Sequence, residues 1–321
     1  MAKLKGIIAL SILLMAMLLA GCSEQKVSTN DGGSSDSKAD DGKIVIGVSM
    51  LNLSNEFIVQ IKDGIEAKAE ELGVEVLIND AQKSADKQLQ QVDTFIAQGV
   101  DAIIVNPVET EASSPAVERA KEAGIPVINV NGVTTAEPDV FVGSRDEESA
   151  EIAIEYIAEQ LNGAGNFVMM HGHPGQAAEI KRTDGAKEAL KNHPDLKLIA
   201  EQTANWSRDE ALTLMQNWLL AYDGQIDAVF AQNDEMGMGA LQALENAGKT
   251  DITLISIDAI ADALQAVKDG RLDATVFQNS VAQGGGAVEA AFKLINGETV
   301  EKETYIPFEL VTQENVDNYL K

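Results

Sequence analysis

The sequence predicts an α/β protein of two doubly wound lobes, each a parallel sheet covered by helices. Three observations carry this. From Lys43 onwards, short apolar runs alternate with amphipathic stretches long enough for helices. The short runs are apolar on both faces, as strands of a sheet covered on both sides must be. The series also repeats. "DAIIVNPVETEA" (Asp101 to Ala112) is echoed by "DAVFAQNDEMGM" (Asp227 to Met238), and "IPVINVNG" (Ile125 to Gly132) by "ITLISIDA" (Ile252 to Ala259), at nearly equal separations.

Taken in order, "KIVIGVSM" is the first strand. A helix follows over 57–72, with Ile58, Ile61, Ile65, Ala69 and Leu72 on one face and Gly73 as its stop. "VEVLI" is the next strand, before a helix with Leu89, Val92, Phe95 and Ile96 in register. "DAIIV" with its helix, and then "IPVINV", complete the first half. The second half runs through a helix over 147–161, strand "NFVMM", a helix over 177–190 and strand "LKLIAEQ". A helix from Arg208, strand "DAVFA" with its helix, and "ITLISI" follow. Ser144 with Glu147, and Ser207 with Glu210, both fit the capping box at a helix start.

The chain begins differently. Lys3 and Lys5 precede an apolar run, Gly6 to Ala20, that is too short to span a membrane. Small residues follow, so residues 1–21 read as a signal peptide. Leu19-Ala20-Gly21-Cys22 resembles the lipobox of bacterial lipoproteins, which makes Cys22 the lipidated new N-terminus. It is the only cysteine, so no intramolecular disulfide can form. Residues 22–42, rich in Ser, Gly and Asp, read as a flexible tether. The net charge of −27 repels nucleic acid and anionic headgroups, leaving the lipid anchor as the membrane contact. With three His and no dense Cys/His cluster, neither a metal site nor a cofactor is expected.

At or just past the carboxyl ends of the strands stand Ser49, Asn106, Asn131, Asn233, Asp258 and Gln278. Ligands of doubly wound sheets bind beyond those ends. A single Asn or Asp there would merely cap the next helix, and Asp234 reads as such a cap. Six polar strand ends in both halves point instead to a ligand held across a cleft. Amides and a carboxylate suit the paired hydroxyls of a neutral polyol. Aromatic residues make up only 4% of the chain. Trp206, just ahead of a capped helix, is a candidate platform; Trp218, mid-helix, reads as core. Phe57 fits either a hydrophobic staple or the cleft.

The stretches "IGVSMLNLSNEF", "IIVNP", "EIKRTDGAKEAL", "TANWSRDEALTLMQNWL", "FAQNDEMGMGAL", "ISIDAIADAL" and "ATVFQN" resemble the periplasmic-binding-protein-like sugar receptors of ABC importers, the ribose, galactose/glucose and inositol group. The resemblance covers nearly all of residues 43–321. It implies a type 1 periplasmic binding protein fold whose lobes are joined by three chain crossings, near Ser144, Asn279 and Glu309. The N-terminal lobe would comprise 43–144 and 279–309, the C-terminal lobe 145–278 and 310–321. It further implies ligand contacts from Asn55, Phe57, Asn106, Asn131, Arg182, Trp206, Asn233, Asp258 and Gln278, with less weight on Ser49. Spacing alone allows Arg182 a helix-surface ion pair with Glu179 instead. The implied partners are a small neutral sugar or cyclitol and an ABC permease, served by a monomer. The alternative is a sugar or autoinducer sensor that presents its ligand to a chemoreceptor or sensor kinase. Ribose receptors carry an acidic residue and Arg where this chain has Asn131-Gly132, and "EQTANWSRDEAL" is similar to inositol-like receptors, so a hexose or cyclitol is favoured over ribose. Galactose/glucose receptors have an aromatic residue at Leu51 and an acidic calcium loop, absent from "LNGAGNF".

Three other classes fit less well. A glycosidase would need a carboxylate pair in a catalytic motif, and no such motif or G-x-S-x-G elbow is present. A metal-binding lipoprotein would have to draw on His171, His173 and His193, too few ligands for a good site. A sugar-responsive repressor would carry a basic DNA-binding head where this chain has an export signal.

Overall fold

The computed structural model describes residues 42–320. The expected signal peptide, Cys22 and, apart from Gly42, the tether lie outside the described residues. Among the described residues no helix is long and apolar enough to cross a membrane.

Along the chain run β1 (Val45–Met50), α1 (Glu56–Leu72), β2 (Glu75–Asp80), α2 (Ala85–Gln98), β3 (Ala102–Val105), α3 (Ser114–Glu122), β4 (Val127–Val130) and β5 (Val140–Gly143). Next come α4 (Asp146–Gln160), β6 (Gly165–His171), α5 (Ala177–Ala189), β7 (Leu196–Thr203), α6 (Arg208–Ala221), β8 (Ala228–Ala231), α7 (Asp234–Ala247), β9 (Thr253–Asp258), α8 (Ala261–Lys268) and β10 (Ala274–Gln278). The chain closes with α9 (Ser280–Ile295), β11 (Glu303–Tyr305) and β12 (Phe308–Thr312). One sheet has the order β11-β5-β4-β3-β1-β2 and the other β12-β10-β9-β8-β6-β7. The two are the same arrangement repeated, and every pairing is parallel except that of β12 with β10. In each, strand order reverses beside the first strand, so a crevice opens between the ends of β1 and β3 and between those of β6 and β8.

Central strands β3, β4, β5 and β8 are buried at every residue, which is why they read as unbroken apolar runs. Helix α1 lays Phe57, Ile58, Ile61, Ile65 and Ala69 on its sheet and ends at Gly73, whose φ of 69° suits a residue without Cβ. At two points where α1 meets α9 there is no room for side chains. A Cβ on Gly64 would stand 2.4 Å from the Val281 carbonyl oxygen, and one on Gly284 2.1 Å from that of Ile61. The two helices touch backbone to backbone.

The chain passes between the sheets after β5, after β10 and between β11 and β12. The third passage falls at 306–307, ahead of the expected Glu309, which lies inside β12 opposite Phe277. Ile306 still donates to Gly143 on the first sheet (2.8 Å), and Pro307 has no N–H to offer either ladder, so the switch occurs there. The capping box expected at Ser144 is also absent. Helix α4 starts from Arg145 without a side-chain cap, because the Ser144 hydroxyl accepts from Gln283 Nε2 (3.0 Å) instead. At Ser207 the hydroxyl does accept from the Glu210 amide (3.4 Å).

Trp218 is 6% exposed, in the same buried cluster as Leu214 and Met215. Trp218→Ala should therefore cost about 3–5 kcal/mol of unfolding free energy. Urea denaturation measures it, and a loss within experimental error would contradict a core role.

Candidate functional site

The carboxyl ends of both sheets border one cavity of about 290 Å³. Of the nine residues singled out by resemblance, eight line it: Asn55, Phe57 and Asn131 from the first lobe, and Arg182, Trp206, Asn233, Asp258 and Gln278 from the second. Asn106 does not. It is 1% exposed, its Oδ1 accepts from the Leu51 amide (3.2 Å) and its Nδ2 donates to the Val130 carbonyl (3.1 Å). With both ends committed to backbone, it ties the ends of β1 and β4 together behind the wall. Ser49 is equally occupied, donating to Gln91 Oε1 (2.6 Å) and accepting from Gln88 Nε2 (3.3 Å).

Capping and lining coexist in two residues. Asn55 Oδ1 accepts from Ile58 N (3.2 Å) and Asn233 Oδ1 from Met236 N (3.0 Å), so each caps the helix that begins there. Each cap uses the oxygen; the NH₂ is no part of it. Asn131, at φ 65°, is steadied by donating to Gln283 Oε1 (3.1 Å) from α9.

Arg182 is 3% exposed and meets no Glu179; that carboxylate bonds His171 Nδ1 (3.2 Å). Its guanidinium donates from Nε to Asp146 Oδ1 (3.1 Å), from Nη1 to the Gln232 carbonyl and from Nη2 to Gln278 Oε1 (3.0 Å). Asp258 Oδ1 stands 4.0 Å from Nη1. Burial pushes the Asp258 carboxyl well above the ordinary carboxylate range; Arg182 opposes this, and the charges of Asp234 and Asp146 add to it. Burial raises the Asp146 carboxyl as well, against the pull of Arg182. Gln278 has its oxygen taken by Arg182, while its Nε2 is buried without any hydrogen-bond partner. An orphaned donor inside a cavity is costly until an acceptor arrives.

Trp206 and its neighbour Asn205 both have left-handed backbones, φ 60° and 53°, a strained pair for non-glycine residues. The turn sets the indole over Gly172, where a Cβ would lie 1.8 Å from Trp206 Cζ2. The indole N–H donates to Gln176 Oε1 (2.6 Å), and the Arg182 guanidinium carbon lies 5.8 Å from the ring centroid. Phe57 supplies a second ring, 6% exposed, serving core and cavity together.

Sequence reasoning missed Gln176, Arg208 and Glu235 on the lining. Arg208 and Glu235 pair at 2.8 Å, and Arg208 also holds Asp262 (2.9 Å). Position two residues after Trp206 was the available signal for Arg208; nothing in the sequence marks Gln176 as the indole's acceptor. Two hydrogen bonds join the lobes beside the cavity: Thr110 N to the Gly175 carbonyl (3.0 Å) and Ala261 N to Glu56 Oε1 (3.2 Å). His171 is held between Glu179 and Glu201, while His193 pairs with Glu155 (2.9 Å). Among the described residues no group of three or more His, Cys, Asp or Glu is placed to hold a metal ion.

Residues 46–299 match the family model of the periplasmic binding protein domain. The xylitol-binding protein of Mycolicibacterium smegmatis is 39% identical, over 89% of this chain and 82% of its own length. The ribose import binding protein of Bacillus subtilis is 36% identical, over 97% of this chain and all of its own. Among solved structures, an ABC transporter solute binding protein from Bacillus halodurans with bound myo-inositol superposes with a TM-score of 0.84. It is 42% identical, covering 88% of this chain and 99% of that one.

The packing of Trp206 on Gly172 is testable without a ligand. In a Trp218→Phe background, where Trp206 is the only tryptophan, Gly172→Ala should displace the indole and shift its fluorescence emission to longer wavelength. An unchanged spectrum would contradict the contact.

Proposed function

The chain belongs to the periplasmic binding protein domain family, and on that premise we propose that it is an extracytoplasmic solute-binding lipoprotein. As a monomer held by Cys22 to the outer face of the cytoplasmic membrane, it captures a monosaccharide or cyclitol between its lobes. It then delivers that ligand to the permease of an ABC importer.

The observation that carries the ligand class is the composition of the cavity wall, which includes the unpartnered Gln278 Nε2. Six neutral amides, Asn52, Asn55, Asn131, Gln176, Asn233 and Gln278, stand with two carboxyls, Asp258 and Glu235, and with the buried guanidinium of Arg182. Such groups donate to and accept from vicinal hydroxyls in pairs. Trp206 and Phe57 offer apolar surface to the C–H faces of a ring. The volume is at the low end for ligand pockets and suits one small ring. A hexose or an inositol-like ring is favoured over ribose by Asn131-Gly132, and myo-inositol bound to a 42% identical relative supports the cyclitol side. The protein binds its ligand and does not transform it. Besides Asp258, the other acidic residue on the wall, Glu235, is bonded to Arg208 (2.8 Å), an arrangement that does not favour the carboxylate pair of a glycosidase.

A panel of myo-inositol, hexoses, xylitol and ribose, read by thermal shift, tests the ligand class. A true ligand at a hundred times its Kd should add about 2.7 kcal/mol of stability. A panel in which nothing raises the melting temperature would refute the polyol reading. The anchor has its own test. Cys22→Ala should release the protein from membranes with ligand affinity intact, since one or two acyl chains supply the attachment. A variant still membrane-bound after carbonate washing would overturn the lipoprotein reading.

A further inference from the structure

Asp234 is the first residue of α7, fully buried, and it does not line the cavity. The helix cap expected of it belongs to Asn233. Its carboxylate is used differently. Oδ1 accepts from the hydroxyls of Ser256 (2.5 Å) on β9 and Thr275 (2.7 Å) on β10, and Oδ2 accepts from the Ile260 amide (2.8 Å). Thr275 Oγ1 in turn accepts from the Ala259 amide (3.3 Å). Both N–H groups that follow Asp258 are thus held by Asp234, one directly and one through Thr275.

The turn so held is strained. Asp258 has φ 131° and Ala259 φ 60°, two successive non-glycine residues outside the usual regions. Backbone of this kind persists only where its surroundings over-determine it, and such turns cluster at ligand sites. Here the strained turn is what presents the Asp258 carboxyl to the cavity, 4.0 Å from Arg182. We propose that Asp234 is the positioning residue for Asp258: by holding the Asp258–Ala259–Ile260 turn it sets the direction of the cavity's one free carboxyl without meeting the ligand. The part of this that concerns affinity rests on the polyol reading above; the part that concerns Asp258 itself does not.

Electrostatics give the proposal a signature that simple packing lacks. Burial pushes the Asp234 carboxyl up to about 6, opposed by its hydrogen bonds from Ser256, Thr275 and Ile260. Its charge is among the causes that raise Asp258. The other charged groups around Asp258 are Arg182 of α5 and Asp146 of α4, and on the helix of Asp234 itself Glu235 is paired with Arg208, which also holds Asp262. Removing the negative charge of Asp234 therefore lets Asp258 ionise at lower pH.

Three variants decide the matter, with apo melting measured for each. Asp234→Asn keeps an oxygen for the Ile260 amide and loses the charge. Carboxyl-carbon NMR of the ligand-free protein should show Asp258 titrating at lower pH than in the parent. Asp234→Ala loses the hold on the turn, and calorimetric affinity for myo-inositol should fall about tenfold, the loss expected when a charge-assisted hydrogen bond is misdirected. Thr275→Val cuts the relay to Ala259 and should weaken binding in the same direction, which settles the case if Asp234→Ala does not fold. An Asp258 titration unmoved in Asp234→Asn, or parental affinity in a folded Asp234→Ala or Thr275→Val, overturns the proposal. If the parent binds none of myo-inositol, hexoses, xylitol and ribose, the polyol reading fails while the NMR arm still decides Asp234.

Discussion

A guanidinium taken out of water among carboxyl groups is the interaction on which the second wall of the cavity depends. Stripping a cation of solvent costs several kcal/mol, recovered only when its donors are met in good geometry. Arg182 meets that condition with acceptors from three places, Asp146 at the start of α4, the Gln232 carbonyl after β8 and Gln278 at the end of β10, while Asp258 at the end of β9 stands 4.0 Å away. Two of them adjoin chain crossings. Asp146 follows the passage at 144–145, and Gln278 precedes that at Asn279. The same side chain thus joins the cavity wall to the chain crossings.

The two walls are unlike, although the two sheets are the same arrangement repeated. The first lobe offers amides whose other ends are engaged in a helix cap or a bond to α9. The second carries the buried charge, the strained turns at Trp206 and Asp258, and the orphaned Gln278 amide. Two sheets of matching order offer two equivalent crevices, and side-chain chemistry places the buried charge in the second.

Much of this is legible in the sequence because strands buried on both faces declare themselves, and because their carboxyl ends must then border the crevice. Asn233, Asp258 and Gln278 were accessible by that route alone. Asn55, Phe57, Arg182 and Trp206 lie off the strand ends, so for Arg182 spacing offered only a surface pair with Glu179, and family resemblance was needed. Asn106 misleads because position on a strand end does not reveal which way an amide is spent; two backbone partners in neighbouring strands claim it. The short edge strands escaped for a different reason. β11 is exposed at every residue and carries no apolar signal, and the switch to β12 is marked only by a proline. Ser144 looked like a cap because local spacing cannot register a partner such as Gln283, far along the chain.

The contact of α1 with α9 has a mechanical meaning. At Gly64 and Gly284 the two backbones approach too closely for any side chain to lie between them, and Ser280 of α9 donates to Gln60 of α1 (2.9 Å) nearer the crossing. Helix α9 begins at the crossing after β10, and α1 begins at Asn55 and Phe57 on the cavity rim. The pair therefore forms one close-packed unit that connects the crossing after β10 to the rim of the cavity.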